Sequence, residues 1–562
     1  MAHEMRLALT LYRSVLLGLF ILLASCGRDA HAPAPEFIAP EALKAHVAVL
    51  ASDDMAGRKP GTEGYDKAAT YVAEQFQAIG LDPVGYGGSY FQPIVFKHMK
   101  IIPETARFVV RSEGDPIQLQ YVDSYYFVLN ATKPTLDISA SLVFAGFGIT
   151  APEFGLNGYK DIEADSKIAV VMAGVPSGLD GEISAIFATV KRKAADARKA
   201  GAVGLIVVYS QALDDFQPFA TRARTAAAGK LHSLGDDGVA FSDYEDLALI
   251  IRMAPEKGAL QFDGAQLSYD ALQALVTEGK PLPSFAMPAS ITAACAVSEE
   301  TSISSNVIGK LSYTASETAA ADAEVGPKEA VMLISHLDHL GLKEGDSSNA
   351  VYNGAIDNAL GVATLIETAK MLARTPQPLK KDVYFAALTA EEAGLLGSQY
   401  LARNLPMPPE TLAAVLNIDM PVALYPFATI QASGENHSNL GLFANQAAAR
   451  FGLDLEDDPM PEEAIFIRSD HYSFVERGIP AIYLNIGSAT PEGSGIDGRQ
   501  MRSDFLSTHY HQTTDDITLP IDWGAAALFG NVHIEMLGAL AQTDQTIAWS
   551  KESFFNQPRA LE

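Results

Sequence analysis

The chain has 562 residues, more than a single core of common size holds, so two or more folded units with ample interior are expected. Its 48% hydrophobic and 9% aromatic composition is that of an ordinary globular protein and excludes a low-complexity chain. A formal net charge of −28, with no block of like charge, argues against nucleic acid as a partner, because a phosphate-binding surface needs clustered Lys and Arg.

Arg6 and Arg13 precede an apolar run from Val15 to Ala24 that is too short to span a membrane and suits a secretory signal. Leu23-Ala24-Ser25-Cys26 resembles a bacterial lipobox, which implies a signal peptide over 1–25 and lipidation of Cys26. Gly27 is not the aspartate associated with inner-membrane retention, so the resemblance implies an exported protein held by lipid at the outer membrane, facing the periplasm or the cell surface. With Cys26 lipidated, Cys295 has no partner, and stability has to come from the core and from bound metal rather than from a disulfide framework.

After a tether over 26–39, a helix begins near Pro40 with Leu43, Val47 and Leu50 on one face, since proline suits a first helical turn. A second helix carries Ala68, Tyr71, Val72, Phe76 and Ile79 and stops at Gly80. Strand-like text follows to about residue 135. From about 138 to 290 the texture is that of a self-contained α/β unit: apolar runs at Ser141 to Phe147 and Ile168 to Met172, a helix through Ala197 and Ala200, and a strand at Val203 to Tyr209. The stretch from Arg222 to Gly235 reads as irregular and polar. Beyond Ser302, apolar runs alternate with helical patterns, the signature of crossover-connected parallel strands, and a last helix is expected from about Trp523 to Ala541.

Acidic and imidazole groups follow these apolar runs. Ser335-His336-Leu337-Asp338 comes after Val331 to Ile334, Glu391-Glu392 after Val383 to Leu388, and Asp419 after Leu412 to Ile418. In an open parallel sheet, groups at the carboxyl ends of separate strands converge on one crevice. Alone, each has a plain reading: His336 as a satisfied strand-end histidine, Asp357 as a helix N-cap, Glu391-Glu392 as solvated acids at a helix start. Asp338 could support the His336 ring, as carboxylates do for ligating histidines. Asp419 ends an apolar strand, where a carboxylate has to be paired or metal-bound. His511 completes the set, with Asp515 as its support, while His339, His437 and His509 compete for the imidazole role. Two His, two Asp and one Glu plus a free Glu are donors suited to zinc, with cobalt or manganese conceivable, and a dinuclear hydrolase needs a general base beside its ligands.

These motifs, together with Phe466-Ile467-Arg468-Ser469-Asp470-His471, Asn306-Val307-Ile308-Gly309 and Met55-Ala56-Gly57-Arg58-Lys59-Pro60-Gly61-Thr62, resemble metallopeptidase family 28, the co-catalytic di-zinc aminopeptidases, with an inserted protease-associated domain. The resemblance implies a phosphorylase/hydrolase-like three-layer αβα sandwich around a mostly parallel sheet, plus a smaller α/β domain. The peptidase domain would take 40–137 and 291–552, the insertion 138–290 and a tail 553–562. By position, Asp357 would bridge two zinc ions, Asp419 would go with His336 and Glu392 with His511, Glu391 would be the general base, and Asp338 would be the Asp that follows the first His. A cis peptide is implied at Asp357-Asn358. Substrates would be peptides with a free N-terminus; no signal for oligomeric state is legible. His511 is followed by Gln-Thr-Thr-Asp where many relatives carry a proline, a local change that leaves the imidazole. The segment Gly487 to Thr508 is expected to rim the substrate pocket.

Three other readings share this scaffold. A receptor-like binding protein would have lost ligands, a glutamate-carboxypeptidase type would add a helical domain after His511, and a single-zinc glutaminyl cyclase would lack both His336 and the insertion.

Overall fold

Hydrophobic side chains alternate along the strand Ala330–His336, and the alternation sorts the core into two layers. In this computed structural model Val331 and Leu333 face one cluster with Val383, Phe385, Ala414 and Leu416, while Met332 and Ile334 face another with Tyr384, Ala386 and Val415. Successive strand residues point to opposite faces, so a sheet covered on both sides needs apolar residues throughout. The structure describes residues 37–556 except 113, 180, 243, 245–246, 314–328, 344, 346–349, 376–377 and 459–462. The signal peptide, Cys26 and most of the tether lie outside the described residues, as does most of the tail expected over 553–562.

The centre of the first sheet is four parallel strands in the order Asp382–Leu388, Ala330–His336, Leu412–Asn417 and Ala481–Ile486. Antiparallel neighbours close both sides: Ser284–Leu311 on Asp382–Leu388, and Thr429–Ser433 on Ala481–Ile486. Helices Pro40–Leu50, Glu63–Ile79, Leu360–Arg374 and Trp523–Gln542 cover one face, and Leu396–Arg403 with His471–Val475 cover the other. The result is the expected α/β sandwich with a mostly parallel centre. Helix Glu63–Ile79 begins where the Thr62 hydroxyl accepts the Tyr65 amide at 3.4 Å, and it ends at Gly80, whose φ of 90° suits a residue without Cβ. Asp522 caps the last helix through the Ala525 amide at 2.9 Å.

A second sheet runs Ile117–Leu119, Arg107–Arg111, Ser284–Leu311, Thr135–Ala145, Ile168–Met172, Gly204–Val208, Leu249–Met253 and Tyr125–Phe127. Its own core includes Phe108, Tyr125, Phe144, Ile206 and Ile251. Arg107–Arg111, Ile117–Leu119 and Tyr125–Phe127, all before residue 138, belong to this sheet, so the boundary expected at 138 falls inside it. The 28-residue strand Ser284–Leu311 serves both sheets: 284–296 pairs in the second and 297–311 in the first. The stretch expected to be irregular after Arg222 instead holds helix Phe219–Ala227 and strand Lys230–Ser233, which joins the first sheet beside Phe91–Ile101. Its polar residues sit on an edge strand and an exposed helix, where an apolar pattern is not required.

Candidate active site

The parallel strands deliver their groups at one edge, as the sheet rule demands. His336 is the last residue of its strand and is 1% exposed. Its Nε2 lies 2.9 Å from Asp419 Oδ1 and 3.3 Å from Asp357 Oδ1. Asp357 Oδ2 lies 3.3 Å from His511 Nε2, whose other carboxylate neighbour is Glu392 Oε2 at 3.1 Å. Glu392 Oε1 meets a second imidazole, His339 Nδ1, at 2.8 Å. Asp357 thus faces one donor set with each oxygen. Within His336, Asp357 and Asp419, and within His339, Asp357 and Glu392, the donor atoms lie within 4.8 Å of one another.

Backbone geometry sets up this convergence. The Asp357-Asn358 peptide is cis, and Asp357 and Asn358 sit at non-helical angles before helix Leu360–Arg374, so Asp357 is not a conventional N-cap. Asn358 then donates to Ser335 Oγ at 3.0 Å and to Ile418 O at 3.1 Å, tying the turn to two strand ends. The Asp515 carboxylate accepts the amides of Ile356 at 2.9 Å and Asp357 at 3.0 Å. Asp515 therefore shapes the Asp357 turn, and among the described residues no hydrogen bond joins it to His511.

Asp338 corrects its expected role in the same way. The His336 Nδ1 atom is 3.2 Å from the Asp338 carbonyl oxygen and 4.0 Å from its carboxylate. The carboxylate instead accepts the amides of Glu391 at 3.0 Å and Glu392 at 3.3 Å, fixing both glutamates through their backbone. His437 and His509 are occupied elsewhere, with Glu182 at 2.6 Å and Thr514 at 2.9 Å respectively.

Several groups escaped the sequence reading of individual roles. Ser469 donates to Asp419 Oδ2 at 2.6 Å, and Tyr483 donates to Asp419 O at 2.8 Å. Tyr510 stacks on His511 with ring centroids 3.8 Å apart. Arg58 is fully buried and donates to the carbonyls of Leu337, Leu50, Asn353 and Gly354 at 2.6–3.0 Å. Ser469 and Arg58 lie in segments singled out for their resemblance to the family, which was the available signal.

Charge is dense here. Burial disfavours the Glu391 carboxylate; His336 partly offsets this, and Asp419, Asp470 and Glu392 add to it, holding Glu391 well above the usual carboxyl range. Burial acts likewise on Asp338 and Asp470, each pushed up to about 7. For Asp357 burial is outweighed by hydrogen bonds from His336 and His511, which hold it well below the usual range. For His511 burial is outweighed by bonds to Asp357 and Glu392, which raise it to about 10. Burial lowers Arg58 to about 10, against the pull of Asp357 and Asp515. Three carboxylates, Asp357, Glu392 and Asp419, facing imidazoles at this spacing fit a cation-binding centre: the donors are nitrogen and oxygen, and buried His339 Nε2 has no hydrogen-bond partner among the described residues.

The Glu391 carboxylate makes no hydrogen bond or ion pair among the described residues and lines a cavity of roughly 280 Å³ with His336, Asp419, Met420, Tyr483 and Leu506. Leu506 and Arg502 come from the expected rim segment, whose second half is the helix Gly498–Thr508.

Residues 306–537, which carry every one of these donors, match the model of Peptidase family M28. A probable zinc metalloprotease of Pyrenophora tritici-repentis (strain Pt-1C-BFP) is 26% identical over 227 residues, covering 34% of this chain and 44% of that protein. A probable lipoprotein aminopeptidase of Mycobacterium tuberculosis (strain ATCC 25618 / H37Rv) is 29% identical over 169 residues, covering 28% of this chain and 29% of that protein. The chain thus spans less than half the length of these curated relatives. Among solved structures, an aminopeptidase from Aneurinibacillus sp. strain AM-1 aligns over 93% of this chain and 98% of that one, at 18% identity and a TM-score of 0.49.

Proposed function

We propose that this protein is a zinc-dependent aminopeptidase that removes N-terminal residues from peptides. One observation carries the reading: Asp357 turns its two oxygens to two different donor sets while Glu391 stands beside them unbonded. His336, Asp357 and Asp419 would hold one ion, and Asp357, Glu392 and His511 a second, with His339 on the remaining oxygen of Glu392. Such ions supply Lewis acidity at the scissile carbonyl and a water pKa near neutrality.

The chain's own groups do the rest. Glu391, its proton affinity raised by burial and neighbouring carboxylates, takes the proton of the attacking water at its carboxylate and passes it to the leaving amine. Asp338 keeps Glu391 and Glu392 in register through their amides. The cavity beside Glu391 receives the N-terminal side chain against Met420, Tyr483 and Leu506. Carboxylates at its floor attract the substrate's α-ammonium. Export and lipid attachment at Cys26 complete the reading, supported by the leader sequence and by the name of the mycobacterial relative.

Hydrolysis of paired free and N-acetylated aminoacyl-anilides tests the activity. Cleavage of the free-amine members alone is expected; equal cleavage of both would reject an aminopeptidase. Incorporation of a labelled fatty acid that Cys26→Ser abolishes is the corresponding test of the anchor.

A further inference from the structure

A second and larger cavity, roughly 1070 Å³, opens on the other side of the same cluster. His339 and Glu392 line it where it meets the donor groups, and its remaining wall comes from the second sheet and from helix Phe219–Ala227. This wall is basic. Arg222, Lys230 and Arg252 line it with Lys59 and His98, and Glu392, already engaged by His339 and His511, is the one carboxylate among the described lining residues. In a chain of net charge −28 such a lining calls for a specific reason.

Arg252 is poised to take a ligand. Its guanidinium carbon sits 4.8 Å from the Tyr209 ring centroid, a stacking contact that occupies the face of the group and leaves its edges free. Its Nε is buried with no hydrogen-bond partner, and no ion pair to Arg252 or Arg222 exists among the described residues. Among the described residues Arg222 donates to Gln217 only, and both guanidiniums act on the Tyr126 hydroxyl, whose residue lines the same cavity. A planar, unpaired guanidinium edge matches a carboxylate in a two-point hydrogen-bonded pair.

We propose that this cavity binds the leaving-group side of the substrate and selects peptides that carry a carboxylate there, through Arg252 and Arg222. The inference rests on the aminopeptidase reading for its direction: with the N-terminal residue held beside Glu391, the chain leaves across Glu392 into the larger space. A volume near 1000 Å³ accommodates several residues. The carboxylate has two sources, the C-terminus of a short peptide or an acidic side chain of a longer one.

The test uses the full-length protein and two peptide pairs that begin with the residue favoured in the anilide panel: Xaa-Gly-Gly against its C-terminal amide, and Xaa-Gly-Glu-Gly-amide against Xaa-Gly-Gln-Gly-amide. Hydrolysis is measured with the wild type, and equilibrium binding with Glu391→Gln. The carboxylate member of at least one pair is expected to be preferred about tenfold, with the preferred pair naming the source. That ratio is expected to fall toward one in Arg252→Gln, and in Arg222→Gln, whose position on an exposed helix face spares the core. Ratios near one in both pairs, or ratios unmoved by both substitutions, overturn the proposal while anilide cleavage leaves the aminopeptidase reading standing. A carboxylate preference in binding without anilide cleavage would reject the aminopeptidase reading and retain the anion-selective cavity.

Discussion

The Asp338 carboxylate accepts the Glu391 amide at 3.0 Å while its own backbone carbonyl meets the His336 ring, so one residue couples the end of one strand to the turn after the next. Its other oxygen takes the Glu392 amide. Asp338→Ala is expected to lower kcat/KM about 10- to 100-fold, the usual cost of removing an outer partner of a metal centre. Asp338→Asn keeps one acceptor oxygen and should lose less. Steady-state rates on the best anilide check the order; equal losses in both variants would mean that the amide contacts do not matter.

Stability without metal should fall as pH rises. Asp338 and Asp470 titrate near 7 and Asp515 near 6 in the folded chain, against 3.8 for an ordinary Asp. Between these values the folded state holds protons that the unfolded state has released, so the contribution of these three groups is fully present below about pH 4 and is lost through pH 7. His511, raised to about 10, continues the loss above neutrality. Asp357 and Glu392, both lowered, act oppositely but only in the acid range. Thermal melts of chelated protein at pH 5 and pH 8 are the check: a lower midpoint at pH 8, restored by zinc, is expected.

Arg58 brings a buried cation to four backbone carbonyls around the site. Arg58→Met fills similar volume but strands those acceptors beside an acidic cluster, and a loss of about 3–5 kcal/mol in urea unfolding is expected. A variant within about 0.5 kcal/mol of the wild type would show that the acceptors find other partners.

Much of this arrangement was legible in the sequence. The apolar strands that lead into His336, Glu391-Glu392 and Asp419 announce a parallel sheet because both faces need covering, and the caps at Thr62 and Gly80 follow from local chemistry. Partners of the ligands were misread where a side chain bonds to distant backbone. Asp338 and Asp515 looked like supports for nearby histidines, yet both hold amides that only the tertiary fold brings near. The sharing of Ser284–Leu311 between two sheets was also hidden, since a long strand with a polar middle reads as two strands and a loop.

Two imidazoles compete for Glu392: His511 at 3.1 Å and His339 at 2.8 Å. His511 also faces Asp357 at 3.3 Å, whereas His339 is 3.9 Å from it, so in the proposed reading His511 would be the ligand and His339 would orient Glu392. Metal analysis should show His511→Ala retaining about one ion instead of about two, and His339→Gln retaining both with affinity weakened about 10- to 100-fold. The reverse pattern would exchange the two roles.

The most direct test joins metal content and turnover in Glu391→Gln. Wild-type protein is expected to hold about two zinc ions and cleave free-amine anilides, while the variant keeps its zinc and loses about 10²- to 10⁴-fold in kcat. A variant that turns over at the wild-type rate, or that loses activity only in step with its metal, would contradict the assignment of Glu391 as the base.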